Sequence, residues 1–218
     1  MHFIIYALRK SLLRPSIYLF SIILLILSGH YFAVWVTNDQ QTAWIWVAVF
    51  YGVWMIGSIL LFSRKADIHN MFKRGSFQAW LLIPILFATV ALFGIFVPNA
   101  YMFKWDSLLL MNVVICLVNP FLEEVYWRGL PSNLFNNKPI QYIIASVGFA
   151  AGHPLILGVN SKGASGWQTF VGAFILGSCW WLYYNNRRSL RWPVFTHFLI
   201  DLFGMAAYLL ADKLPLLL

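Results

Sequence analysis

Six ionisable side chains interrupt the apolar stretches of this sequence, and their types are those that perform acid–base chemistry. An ionised group inside a hydrophobic segment costs about 2.5 to 3.5 kcal/mol on insertion scales, so such groups usually face an internal cavity and serve a function. Carboxylates and imidazoles that converge on one cavity can activate water and stabilise the charge on a carbonyl under attack. The six residues are Glu123, Glu124, Arg128, His153, His197 and Asp201.

Helical spacing sorts most of these residues into pairs. Glu124 and Arg128 are four positions apart, so they share a helix face and can form a supporting salt bridge. Glu123 is turned about 100° away on the same helix and therefore needs a partner from another helix. His197 and Asp201 are also four apart, so one helix face presents an imidazole and a carboxylate together.

Two other interpretations of the polar residues stay open. His153 taken alone could be a buried histidine of the core. A divalent metal such as Zn²⁺ could also be held by part of the set, but no HExxH sequence occurs, so we expect no cofactor and metal-independent chemistry. The metal alternative would use Glu123, His153, His197 and Asp201 as ligands.

The composition is that of a polytopic membrane protein. Of 218 residues, 61% are hydrophobic and only 10% are charged, against about 25% charged in globular proteins. The net charge of +8 arises from short Lys and Arg clusters between apolar runs, as topology signals do, so nucleic acid is not an expected partner. Cys116 and Cys179 lie in apolar runs without metal-type spacing, and we expect them to be small buried side chains.

Apolar runs predict an all-α fold with a bundle of about seven transmembrane helices, since each run is close to the roughly 20 residues that cross a bilayer. We expect a single membrane domain over 1–218. Residues 1–15 predict a short interfacial helix at the N-terminus, because basic and apolar residues alternate there. The predicted spans are 17–36, 44–62, 79–97, 107–118, 140–152, 167–184 and 192–210.

Prolines and basic residues add detail to this topology. We expect Pro84 to kink the third span, Pro120 to make the fourth kink or restart with Asn119 as a cap, and Pro154 to end a helix beside His153. An N-terminus in the cytoplasm places twelve basic residues inside and three outside, as the positive-inside rule requires. Inside lie Arg9, Lys10, Arg14, Arg64, Lys65, Lys73, Arg74, Arg128, Lys138, Arg187, Arg188 and Arg191, and outside lie Lys104, Lys162 and Lys213.

Three short motifs resemble those of the CPBP (Abi-like) family of intramembrane endopeptidases, which includes CAAX prenyl proteases and bacteriocin self-immunity proteins. The motif EExxxR spans 123–128, FxxxH spans 149–153, and the HxxxN or HxxxD motif spans 197–201. Each motif is short, but all three occur in order and inside apolar spans. The resemblance covers about residues 107–210.

The resemblance implies a glutamate-dependent protease in which Glu123 and His153 activate water and His197 and Asp201 stabilise the oxyanion. Prenyl proteases carry Asn where this chain has Asp201, and an ionised Asp cannot donate a hydrogen bond. Asp201 could hold His197 as the imidazolium that donates, which we prefer, or could itself be protonated. This departure leaves two substrate classes open: a prenylated C-terminus and a bacterial C-terminal sorting helix.

The expected protein is therefore an integral protein of the bacterial cytoplasmic (inner) membrane that cuts a membrane-borne protein or peptide near a C-terminal processing signal. Two alternatives remain. A non-catalytic immunity or scaffold protein would use the same fold, and a proton-coupled transporter would use the same buried carboxylates. Transporters often show repeated halves, and no repeat is visible here.

Overall fold

The computed structural model describes residues 13–38, 42–161 and 164–209, and all regular structure in these ranges is helical. The predicted all-α fold is thus confirmed. The predicted interfacial helix falls on residues that are mostly outside these ranges, which begin at Leu13. The helices are α1 (Leu13–Trp35), α2 (Ala43–Phe62), α3 (Lys65–Met71), α4 (Ala79–Met102), α5 (Ser107–Leu134), α6 (Lys138–Val159), α7 (Gly166–Arg187) and α8 (Arg191–Leu209).

Five of these helices, α1, α2, α4, α5 and α6, are long and apolar enough to cross a membrane. Their outward side chains are apolar, as Phe20, Leu60 and Phe93 illustrate, because a lipid-facing surface has no polar solvent to contact. Helices α7 and α8 have 22 and 19 residues but are not among the five in the described ranges. The chain is a polytopic membrane protein, while the predicted number of seven spans is not confirmed.

The helix ends gather at two faces of the bundle. Connections 63–78 and 188–190 meet at the first: Leu190 N donates to Met71 O at 2.7 Å, and Ser189 Oγ donates to Lys73 O at 2.6 Å. This basic face, as we call it, carries Arg64, Lys65, Lys73, Arg74, Arg187, Arg188 and Arg191.

The other face, termed the opposite face, holds the connections 36–42, 103–106 and 160–165. There the side chain of Asn160 ties α6 to α1, because its Nδ2 donates to Ala33 O at 2.7 Å. Thr37 Oγ1 donates to Asn160 Oδ1 at 3.0 Å. Each long helix therefore runs between the two faces.

Of the two effects predicted for Pro120, a kink or a restart of the helix, the restart is wrong. The helix continues through Pro120 without restarting at Asn119, and its N-cap is Asp106, whose side chain accepts from Leu109 N at 3.0 Å. Pro84 lies in the first turn of an α-helical segment, where its missing N–H costs no hydrogen bond. The predicted end beside His153 is confirmed, because the α-helical part of α6 stops at Leu155.

The departures from regular α-helix inside α4, α5 and α6 include π-helical turns. Such turns cover Val125–Gly129 in α5 and Ile144–Gly148 in α6, directly after the two glutamates and directly before Phe149. A third covers Ala91–Phe96 in α4. Single π turns inside helices are frequently found at functional sites because they rotate the side chains that follow.

Candidate active site

Helix α5 brings Glu124 and Arg128 together in the centre of the protein. Arg128 Nη1 donates to Glu124 Oε1 at 3.0 Å, and both side chains are fully buried. The predicted supporting salt bridge is therefore present in the structure. Removing one member of a buried pair costs about 3 to 5 kcal/mol, because the other charge is left without compensation.

The same oxygen of Glu124 also binds His197 of α8. His197 Nδ1 lies 3.0 Å from Glu124 Oε1, and since a carboxylate can only accept, Nδ1 carries the proton. The other ring nitrogen, Nε2, then points to Glu123 Oε2 at 3.3 Å and Asp201 Oδ1 at 3.6 Å. His197 is the partner that Glu123 required from another helix, but the contact with Glu124 was not predicted.

His153 of α6 has a defined ring orientation. Its Nδ1 lies 3.0 Å from Phe149 O, and because a carbonyl oxygen only accepts, Nδ1 is the donor. That assignment leaves Nε2 as the ring atom able to accept a hydrogen bond. His153 is therefore suited to act as an acceptor for a water molecule.

One cavity connects these groups. It has a volume of about 70 Å³ and is lined by Glu123, His153 and Asp201, each from a different helix. A cavity of about 10 to 15 Å³ suffices for one water molecule when polar partners are present, so this one can hold water beside a reacting group. Its other lining residues include Trp44, Tyr51, Asn112, Cys116, Asn119 and Leu157.

Aromatic rings hold the charged groups in place, and sequence reasoning missed their role. The Arg128 guanidinium stands 4.2 Å from the Phe149 ring centroid and 5.2 Å from that of Trp180. Trp180 also stacks on His197, with centroids 4.4 Å apart and planes at 21°. The Phe149 and Trp180 faces attract the Arg128 cation, and the Trp180 face favours His197 in its imidazolium form. Aromatics make up 18% of the chain, so no signal in the sequence distinguishes Trp180.

Close approach of α7 to this cluster depends on Gly177. A Cβ at that position would stand 2.9 Å from Ala145 O and 3.1 Å from Arg128 Nη2. Real Cβ atoms are rarely this close to such neighbours, so a side chain would displace α7. The glycine therefore lets Trp180, one turn later on α7, reach the site.

Tyr51 of α2 is a second residue that sequence reasoning missed. It is buried, lines the cavity with Glu123, and its hydroxyl accepts from Trp127 Nε1 at 2.8 Å. Because that oxygen is used as an acceptor, the hydroxyl proton is available to a neighbour. Glu123 Oε1 is buried without a hydrogen-bond partner among the described residues.

In the described ranges, no group of three or more His, Cys, Asp and Glu residues is arranged to hold a metal ion. The two cysteines are buried and free, as predicted.

Comparison with known proteins gives a match for the part of the chain that carries the three motifs. No curated protein and no solved structure matches the chain. A family model does match, over the helices that carry all three motifs, and it is described as Type II CAAX prenyl endopeptidase Rce1-like. Over residues 104–203, this protein therefore matches the Rce1-like family of type II CAAX prenyl endopeptidases.

Proposed function

We propose that this protein is a metal-independent intramembrane endopeptidase that uses Glu123 and His153 to activate water. The observation that carries the proposal is the convergence of Glu123, His153 and Asp201 from three helices on one cavity. The Rce1-like match supports a protease at the level of the family. No observation in the described ranges favours the transporter or the non-catalytic scaffold.

Water activation follows from the positions of the two residues. A water molecule in the cavity donates one proton to the Glu123 carboxylate and a hydrogen bond to His153 Nε2. The hydroxide so formed attacks the carbonyl carbon of the scissile peptide bond. The proton held by Glu123 then passes to the amine that leaves when the C–N bond breaks.

His197 stabilises the oxyanion of the tetrahedral intermediate in this proposal. Glu124 and Trp180 hold the ring in place, so Nε2 is oriented before the substrate arrives. Asp201 Oδ1, 3.6 Å away, keeps the ring in its imidazolium form. Removing one preorganised oxyanion donor costs about 10²- to 10³-fold in kcat.

The substrate is a membrane-associated protein, as the CAAX endopeptidase family implies. We propose that the bond cut lies near its C-terminus, with the two classes named above, a prenylated end and a sorting helix, as candidates. We place the basic face and the N-terminus in the cytoplasm, because Lys and Arg residues of membrane proteins accumulate on the cytoplasmic side of the membrane. We place the protein in a bacterial cytoplasmic membrane.

The test is cleavage by the purified protein in lipid vesicles. A panel of membrane-anchored peptides with prenylated and unprenylated C-terminal segments is incubated with it, and products are identified by mass spectrometry. We expect one class to be cut near the C-terminus and Glu123→Gln to be inactive. Asp106→Asn is the matched control, because it removes a carboxylate from the start of the same helix while Asn still caps well. Equal cleavage by Glu123→Gln and the parent would overturn the proposal.

A further inference from the structure

A polar stripe leads along α5 from the glutamates towards one end of the helix. Asn112, Cys116, Asn119 and Glu123 follow one another at spacings of four, three and four residues, so they lie on one helix face. All four line the cavity. We call Asn112 and Asn119 the asparagine stripe.

Asn112 has an unfulfilled hydrogen-bonding group. The residue is only 4% exposed, and its Nδ2 is buried without a partner among the described residues. An unpaired buried donor costs about 1 to 3 kcal/mol, so it is expected to gain a partner when the cavity is occupied. An amide donates to carbonyl oxygens and accepts from N–H groups, which are the groups that an extended peptide backbone presents.

The cavity extends from Glu123 towards the opposite face. Trp44 lies in the first turn of α2, Asn112 in the second turn of α5, and Leu157 in the last turn of α6. All three turns belong to helix ends at the opposite face. Glu123, beyond the middle of α5, is the deepest lining residue as seen from there.

The space between the glutamates and the basic face is filled. Met71, Leu130 and Leu190 are buried, and the Met71 side chain packs on the backbone of α5 so closely that a Cβ at Gly129 would stand 2.5 Å from its Sδ. The backbone of Leu190 binds Met71 O at 2.7 Å. These contacts pack the protein tightly between Gly129 and the basic face.

We infer that the asparagine stripe binds the backbone of an extended peptide that reaches Glu123 from the opposite face, so that the substrate is a segment of an exported, membrane-anchored protein. The cleavage and the cytoplasmic placement of the basic face rest on the proposed function, whereas the position of the cavity does not. Along a helix, Asn119 is about 6 Å and Asn112 about 16 Å from Glu123. An extended peptide advances about 3.3 Å per residue. Asn119 therefore lies beside the second substrate residue from the cleaved bond, and Asn112 lies beside the fifth.

The route is tested by thiol labelling of the full chain in its membrane. Single cysteines are placed in a Cys116→Ala, Cys179→Ala background, at Asn112 in the cavity and at Ser76, which is exposed at the basic face. A membrane-impermeant maleimide is added to intact cells and to inverted vesicles. We expect Asn112→Cys to react in intact cells and Ser76→Cys to react only in inverted vesicles.

Three labelling results would overturn the inference: reaction of Asn112→Cys only in inverted vesicles, reaction on neither side, or reaction of Ser76→Cys in intact cells. Trp44→Cys, nearer the mouth of the same cavity, repeats the test should the Asn112 variant fail to fold. None of these readouts requires catalysis.

Backbone binding is tested by kinetics once a cleaved peptide is known. Asn112→Leu is expected to raise KM about five- to tenfold with kcat nearly unchanged, which is the loss of about one net hydrogen bond. Asn99→Leu is the control, since Asn99 Nδ2 donates to Ile95 O within α4 and does not line the cavity. An unchanged KM in Asn112→Leu would reject backbone binding by the asparagine stripe without contradicting the proposed protease function. A parent protein that cuts no peptide rejects the proposed function, and labelling still decides the route.

Discussion

His197 Nδ1 and Glu124 Oε1 lie 3.0 Å apart, which joins the EExxxR and HxxxD motifs through one hydrogen bond. The same carboxylate oxygen accepts from Arg128. Glu124 thus binds both Arg128 and His197, while Glu123 contacts His197 through Oε2 and lines the cavity. We therefore propose separate tasks for the two adjacent glutamates.

Replacing each glutamate separately should reveal this division. Glu124→Gln is expected to lower stability by about 3 to 5 kcal/mol, because Arg128 and His197 lose their shared acceptor charge in a buried environment. Glu123→Gln should abolish cleavage with a much smaller loss of stability, since the shape is kept and only the base is removed. Thermal unfolding in detergent and peptide cleavage measure the two effects. Parallel losses of both properties in both variants would refute the assignment.

Tyr51→Phe should lower kcat by up to about tenfold, since Trp127 Nε1 loses an acceptor and Glu123 loses a neighbouring hydroxyl, with about 1 kcal/mol at stake per net hydrogen bond. Tyr183→Phe is the matched control. It also removes a hydroxyl hydrogen bond, the partly buried one to Ser76 O at 3.1 Å, but at the basic face. We expect similar changes in unfolding temperature and a loss of activity in Tyr51→Phe alone. Equal activity of the two variants would remove Tyr51 from the site.

Gly177→Ala should destabilise the protein by about 1 to 3 kcal/mol, the usual cost of overpacking. The added methyl group meets Ala145 O at 2.9 Å and pushes away the helix that carries Trp180, so activity should fall as well. Gly172→Ala, on the same helix, meets only Phe87 Cε1 at 3.7 Å and should be neutral or stabilising by about 0.5 to 1 kcal/mol. Unfolding curves of the two variants decide; a stable, active Gly177→Ala protein would contradict the packing argument.

Asp201→Asn should reduce kcat less than His197→Ala does, because Asp201 acts through the imidazole at 3.6 Å and Asn keeps its shape. For His197→Ala we expect the full loss of an oxyanion donor, about 10²- to 10³-fold. Comparing kcat of the two variants with the parent measures this. A loss in Asp201→Asn as large as that in His197→Ala would make Asp201 an equal participant.

Treatment of the purified protein with a strong chelator should leave cleavage intact, because Glu123 and His153 suffice to activate water in our proposal. Activity before and after chelation is the measurement, with a known zinc protease treated in parallel as control. Loss of activity that Zn²⁺ restores would transfer the assignment to a metal site.

The features that could be predicted from the sequence are those that depend on residue type or on residues a few positions apart. Glu124 with Arg128 and His197 with Asp201 are i, i+4 pairs, and helix geometry alone brings such residues together. The membrane class followed from composition, and the end of the α-helix after His153 followed from Pro154. The same proline rule was wrong about a restart at Asn119, because α5 continues through Pro120; the energetic cost of a proline inside a helix can be met by surrounding packing, which no local pattern reveals.

The sequence by itself determined the helical membrane class, the three motifs and the pairs formed within one helix, since all of these depend on residue type and on spacing of a few residues. Only the tertiary structure decided that Glu124 binds His197, 73 residues away, that Tyr51 lines the cavity with Glu123, and that Trp180 stacks on His197. It also decided that the cavity extends towards the opposite face. These relationships depend on how helices far apart in the chain pack and rotate against one another, and that rotation results from the sum of many small contacts rather than from any short pattern.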